Sequence, residues 1–462
     1  MKVRAIALCV ALAVTASACG SRLSEDELTA GGGTGGAAAA TTTPGGSGAA
    51  GAEGPMIGDL AVPCGEGEQP PGAPPEGTPG VTADAIKIAV ISDKAGQIKV
   101  PTASIEESMK AFVEWCNGYG GINGRKLELT AIDSKLFSHL EATKEACNAG
   151  VFALVGSGSV TDNQGAQAMV DCDLVEVPAY TATAAKGLSE RLVAPVPNPA
   201  NTYPIGQAEW IAEQYPEAIK KAAILAPDIE TTNVQVARLT EAYESAGFEF
   251  VYEKATGAIQ ENYATEAAEM KKKGVRWVAM ISAVSETNKL LRDMKTQGLE
   301  PDVIDLGQQY YDPELLAEPA SEGSLVLLNT VPFEEAEESP ALQTYLDAYA
   351  EVDTNVEPTS LGVQAFSAGL LFATAMGQLA DEDISRENLL DQLRTITSWN
   401  GGGLHFESNP GENLGAACFM YMQVTDGAFT RVWPEEATTW DCDPSYSFDL
   451  GDDYGGGAKK SG

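Results

Sequence analysis

The run Val155-Gly156-Ser157-Gly158-Ser159-Val160-Thr161-Asp162 follows a short apolar stretch and leads into a helical one. Ser157, Ser159 and Thr161 would place hydroxyls beside the free backbone N–H groups of a helix N-terminus, a cradle for a carboxylate or another anion. The same residues also suit a plain Gly/Ser turn with a helix cap. A dinucleotide site is not expected, because the third glycine of GxGxxG is missing. Tyr180, Thr181, Ala182 and Thr183 end the next strand, and their small side chains and hydroxyls allow close approach of a ligand or tight packing. Two more strand ends carry chemistry. Asp228, after AAILAP, could meet an ammonium group, and Tyr311, in QQYYD after VIDLG, could cover an apolar ligand. Each also fits a surface or core role.

Little points to catalysis. His139 and His405 are the two histidines, and no GxSxG elbow, HExxH or P-loop is present. No CxxC or HxxH spacing occurs, so neither a metal nor a cofactor is expected, and no residue is assigned a catalytic role. The formal charge of −37, from 66 acidic and 29 basic residues, repels phosphate backbones and excludes nucleic acid as a partner. Solubility accounts for that acidity.

Export is written at the start. Lys2 and Arg4 precede an apolar run over 5–14 and then Thr15-Ala16-Ser17-Ala18-Cys19-Gly20, the plan of a secretory signal over residues 1–18. The run is too short for a permanent bilayer span. Cys19 sits where a bacterial lipobox carries its acylated cysteine, although Ala16 replaces the usual leucine. Ala16-x-Ala18 also suits an ordinary signal peptidase, which would release a soluble secreted or periplasmic protein. Beyond Cys9 and Cys19 six cysteines remain, and an exported chain would pair them; fifteen arrangements are possible. The preferred pairs are Cys147 with Cys172, Cys418 with Cys442, and Cys64 with Cys116.

Residues 19–80 are largely Gly, Ala, Thr and Pro and are expected to form a flexible tether. A free stretch of about 45 residues would reach roughly 35–40 Å. The texture changes at Val81. IKIAVI at 86–91 reads as a strand, 104–117 as a helix stopped by glycines, and 126–132 as a strand. The alternation continues to a strand at 303–306. Strands of this length separated by helices specify parallel sheets covered on both faces. The expected fold is α/β, with two doubly wound parallel-sheet lobes joined by a hinge. Lobe 1 takes residues 81–199 and lobe 2 residues 200–331. Residues 332–450 return to lobe 1 with the closing strands, including a hairpin at Asp426-Gly427, and 451–462 form a tail. In such sheets ligands bind beyond the carboxyl ends of the strands, at the point where the winding direction switches.

Several segments in order, GVTADAIKIAVISD, WCNGYGGINGRKLELTAID, VFALVGSGSVTDNQGA, SETNKLLRDMKTQGLEP and GGGLHFESNPGENLGAACFMYMQV, resemble the leucine/isoleucine/valine-type periplasmic binding proteins. These are the type I receptors of ABC transporters, and the likeness covers about residues 81–433. It implies a ligand held between two lobes by the loops after the third and fourth strands, which match Ser157, Ser159, Thr161 and the stretch 181–185. It also implies permease subunits as partners and a site of action at the outer face of the cell membrane, with lipid-anchored Cys19 as the attachment. The sequence departs from the amino-acid binders in having Tyr180-Thr181-Ala182-Thr183-Ala184-Ala185 where a Ser-Pro-x-Ala-Thr run is usual. Asp228 to Asn233 stand where the family often has Tyr-Gly. The expected function is capture of a small molecule (an amino acid, an amide or a small organic acid) for transport. A surface sensor on the same fold is the alternative, ahead of a hydrolase or a structural envelope protein.

Overall fold

A computed structural model describes residues 54–67, 71–96 and 102–460. The expected signal peptide and Cys19 lie outside these residues.

Lobe 1 is built on four parallel strands in the order Lys126–Asp133, Ala85–Ser92, Ala153–Val155 and Val175–Val177. Strand side chains alternate between faces, so the continuous apolar run of the second strand serves two cores. Ile88 and Val90 join one cluster, with helices Ala103–Tyr119 and Ser360–Gly377. Ala89 and Ile91 join the other, with helices His139–Ala149 and Asn163–Asp171. Ser360–Gly377 is long and apolar enough to cross a membrane, yet it is packed inside lobe 1. Its Gly369 lies against the Phe112 ring, where a Cβ would come within 2.6 Å, so only glycine permits this approach.

Lobe 2 contains seven strands in the order Phe250–Thr256, Ala222–Pro227, Trp277–Met280, Val303–Leu306, Leu325–Leu327, Tyr421–Thr425 and Ala428–Trp433. The first five are parallel and the last two antiparallel. The closing hairpin therefore corrects an expectation. It does not return to lobe 1 but extends the second sheet, where Met422, Val424 and Phe429 pack with Leu306 and Val326. Its turn is the one read from the sequence: Asp426 and Gly427 both have positive φ, 53° and 75°, as a two-residue hairpin of matching twist requires. Helices Pro340–Ala350, Ser360–Gly377 and Arg386–Arg394 do belong to lobe 1.

The tether also needs correction at its distal end. Within 54–67 and 71–80 the chain is packed on lobe 1. Met56–Ile57 pairs with Leu60–Ala61, and Ile57, Val62 and Cys64 are buried in the core. Farther on, Asp381 accepts from Gly72 N at 2.5 Å and from the Arg125 guanidinium at 2.6 Å. Three buried residues suffice here because the Cys64–Cys116 bridge removes much of the entropy that the Gly-rich composition would otherwise retain. The remaining disulfides are Cys147–Cys172 and Cys418–Cys442. At the other end, the tail runs from lobe 2 back to lobe 1. Glu241 accepts from Gly451 N and Tyr454 OH, then Ala458 N bonds Ala185 O and Lys460 pairs with Asp173 at 2.7 Å.

Candidate functional site

In both sheets the winding reverses beside the first strand. In lobe 2 that point lies between Ala222–Pro227 and Trp277–Met280. The chain beyond both carboxyl ends, Pro227, Ile229, Ile281, Ser282, Ala283 and Val284, lines a cavity shared with lobe 1. Lobe 1 contributes Leu136, Phe137, Val160 and Tyr180 to Ala182, and the crossing segment contributes 196–199. The cavity encloses about 380 Å³, roughly a dozen waters at about 30 Å³ each, and falls within the size range of small-molecule sites.

One helix dominates the lobe 2 wall. Thr231, Gln235 and Arg238 of Glu230–Ser245 are spaced i, i+4, i+7, so they form one stripe facing the cavity. Thr231 Oγ1 donates to Val160 O at 3.0 Å, and Gln235 Nε2 to Ala182 O at 3.4 Å. Asn163 to Glu230 (3.1 Å) and Gln364 to Gln308 (3.2 Å) complete four side-chain bridges between the lobes. Arg238 braces the crossing segment, with one terminal nitrogen donating to Asn198 Oδ1, Pro199 O and Thr202 O at 3.1, 2.8 and 2.8 Å. It also stacks on the Tyr203 ring. Arg238 is 2% exposed, burial draws its pKa below the ordinary guanidinium range, and no carboxylate pairs with it among the described residues. Every other described residue lining the cavity is uncharged. Arg238 Nε, Thr181 Oγ1, Thr202 Oγ1 and Gln364 Oε1 are buried there without a hydrogen-bond partner in the structure.

The residues singled out from sequence divide sharply. Tyr180, Thr181 and Ala182 line the cavity. Ser157, Ser159 and Thr161 do not; their hydroxyls are used internally. Ser157 Oγ accepts from Ile91 N at 3.0 Å, Ser159 Oγ donates to Asp93 Oδ1 at 3.0 Å, and Thr161 Oγ1 donates to Leu136 O at 2.6 Å. Thr183 Oγ1 donates to Asp162, a buried acid whose pKa burial raises to about 7. Asp228 is exposed and bonded to Asn233 at 3.0 Å. Tyr311 packs between Phe333 and Phe429, with its hydroxyl on Glu334 and on Phe333 N, away from the cavity. The Thr231/Gln235/Arg238 stripe was not among the residues singled out from sequence; it becomes one face only because the helix begins as early as Glu230.

One arrangement looks like nucleophile and base. Ser367 Oγ lies 2.9 Å from His405 Nε2, but His405 Nδ1 faces the Phe406 carbonyl at 2.7 Å rather than a carboxylate, and Trp399 donates to the same serine at 3.0 Å. All three lie inside lobe 1, and burial holds the imidazole pKa at about 4. With the serine oxygen occupied and no route for substrate, the pair is a structural network. Among the described residues no group of His, Cys, Asp and Glu is placed to hold a metal.

Two sheet lobes with a cavity at their facing switch points define a ligand receptor of the clamp type. The chain belongs to the periplasmic binding protein family, whose model matches residues 85–428; its place of action is extracytoplasmic. The leucine-, isoleucine-, valine-, threonine- and alanine-binding protein of Pseudomonas aeruginosa is 24% identical over 326 residues, 69% of this chain and 84% of the relative. The fold is shared with a fatty acid ABC transporter substrate-binding protein from Thermomonospora curvata, at TM-score 0.67 and 19% identity over 78% of this chain and 95% of that one. It is also shared with a branched-chain amino acid transporter substrate-binding protein from Streptococcus pneumoniae in complex with isoleucine, at TM-score 0.62 and 16% identity over 75% and 98%. An R. palustris ABC-transporter solute-binding protein in complex with benzoate matches at TM-score 0.64 and 14% identity over 80% and 99%.

Proposed function

We propose that this solute-binding protein captures an organic acid with an apolar body between its lobes and delivers it to an ABC transporter. The observation that carries this reading is Arg238, the one charged residue among the described residues of the cavity wall, in a protein whose net charge is −37. A buried cation without a counter-charge favours an anionic guest. An α-amino acid would also need an acid for its ammonium group, and among the described residues no Asp or Glu lines the cavity. Named ligands among the relatives include fatty acid and benzoate as well as amino acids, so the fold accommodates this class.

Binding works by population shift: a ligand that touches both lobes only when they meet favours the closed form. Catalysis has no part in the proposal, since the Ser367–His405 pair is sealed. Acylation of Cys19 completes it by holding the receptor at the outer face of the membrane; mass measurement of the exported N-terminal peptide tests that step. The ligand reading is tested by thermal shift with aliphatic and aromatic carboxylates, their amides and the matching α-amino acids. A carboxylate at 100 times its Kd should add about 2.7 kcal/mol. Shifts from the amino acids with none from the carboxylates would overturn it.

A further inference from the structure

The cavity is polar at one end and apolar at the other, and exposure distinguishes the inner end from the outer. Arg238, 2% exposed, is bonded to the crossing segment at Asn198, Pro199 and Thr202. Thr181 joins the same corner, its carbonyl accepting from Asn198 Nδ2 at 3.0 Å. Three of the cavity's unpartnered buried atoms, Arg238 Nε, Thr181 Oγ1 and Thr202 Oγ1, belong to residues of this corner. Seven residues back along the Arg238 helix, roughly 10 Å, Thr231 bonds Val160 O, and Leu136, Phe137, Ile229 and Ala258 join Val160 in lining the cavity. Phe137 is 52% exposed although it lines the cavity, and Ala258 is followed by Ile259, 53% exposed. Phe137, a large apolar lining side chain half in water, marks where the cavity opens.

We infer that the ligand is an amphipathic acid bound head-inward. Its carboxylate sits at the Arg238–Thr181–Thr202 corner, and its unbranched apolar chain runs outward to end against Phe137. This rests on the organic-acid reading above and adds an orientation and a chain-length rule. Each methylene buried along the wall should strengthen binding about fourfold, the equivalent of about 0.8 kcal/mol, until the chain passes Phe137. Beyond that point water surrounds the added carbons and the gain ends. Phe137 is then the specificity residue for long chains and does not touch short ones.

The test is isothermal titration of the full chain with straight-chain carboxylates from about four to about ten carbons, in parent and Phe137→Ala; affinity is expected to climb by about fourfold per carbon and then level off. Phe137→Ala should leave the shortest acids unchanged and bring the plateau to a shorter chain. Primary amides of the same lengths, which need no mutation, should bind the parent more weakly by a constant factor. Carboxylates that bind without length dependence, or a Phe137→Ala variant that weakens all lengths alike, would overturn the orientation while leaving the organic-acid reading in place. Absence of binding by every carboxylate, with circular dichroism showing folded protein, would remove that reading itself.

Discussion

Ser159 Oγ donates to Asp93 Oδ1 at 3.0 Å, and the Val160 N–H donates to the other oxygen of that carboxylate at 2.7 Å. Ser134 Oγ and Leu136 N complete the set at 2.5 and 3.1 Å. The hydroxyl-rich loop at the lobe 1 switch point does cradle an anion, but the anion is the protein's own. The hydroxyls of Ser159 and Ser134 are therefore engaged within lobe 1.

Asp93 is therefore expected to matter for stability. Asp93→Ala leaves the Val160 and Leu136 N–H groups without their acceptor and takes the carboxylate from Ser159 and Ser134, although Ser134 Oγ keeps Ser92 O at 3.1 Å; it should cost about 3–5 kcal/mol. Ser159→Ala, removing one donor, should cost about 1 kcal/mol. Urea unfolding at constant slope measures both; a mild Asp93→Ala paired with a Ser159→Ala that abolishes ligand binding would return the loop to the site.

Thr231 reports on closure. Its bond to Val160 O exists only when the lobes meet, and valine has nearly the same shape. Thr231→Val should remove about 1 kcal/mol from the closed form and weaken a bound straight-chain carboxylate about fivefold, with the unfolding midpoint unchanged. Equal affinity in parent and variant would show that this bridge does not bias closure.

Asp305 controls a pH response. It lies in the middle of the lobe 2 sheet, accepting from Tyr421 OH at 2.8 Å, and burial raises its pKa from 3.8 to about 7. The folded protein thus keeps a proton that the unfolded chain releases. The stability this proton brings is fully present below about pH 4 and is lost as pH rises to about 7, up to about 4 kcal/mol. Asp305→Asn removes the dependence, so the variant should gain on the parent steadily from pH 4 to pH 7 in denaturation curves. Subtracting the two curves cancels His405, whose pKa of about 4 acts in the opposite sense. A difference that does not change with pH would show that Asp305 is not held protonated.

The Cys64–Cys116 bridge spans 52 residues, for which chain entropy gives about 4 kcal/mol. Replacing both cysteines with alanine should lower the unfolding midpoint accordingly and open residues 54–80 to protease first. Unchanged cleavage there would show that the apolar contacts of Ile57 and Val62 hold the segment by themselves.

Local pattern carried most of the architecture. IKIAVI, the helix spacings and the Asp426-Gly427 turn each encode their structure within a few residues. What local pattern lacks is a partner's address. Tyr421–Thr425 reads as a strand, but nothing in it names the sheet it joins; Leu325–Leu327, the last of the parallel strands, supplies that in three dimensions. Ser159 and Thr161 look alike in sequence whether they face a ligand or, as here, Asp93 and the Leu136 carbonyl. Arg238, amid VQVARLTEAY, looks like any helical surface cation until the crossing segment is laid beside it. Met56 to Val62 vanished in the average composition of a Gly-rich stretch, although a few apolar residues tied by one covalent link are enough to dock it.

The lobes divide the chain in a way that bears on its synthesis. The larger lobe 1 core draws on residues from Ile57 to Val193 and again from Val331 to Leu404, and the core that joins the lobe 2 strands needs Met420 to Phe429. Neither nucleus can finish until the last third of the polypeptide has appeared. A chain emerging from the ribosome carries two half-built interiors and no domain able to fold ahead of the rest. Both halves of the clamp must therefore set together, late in synthesis.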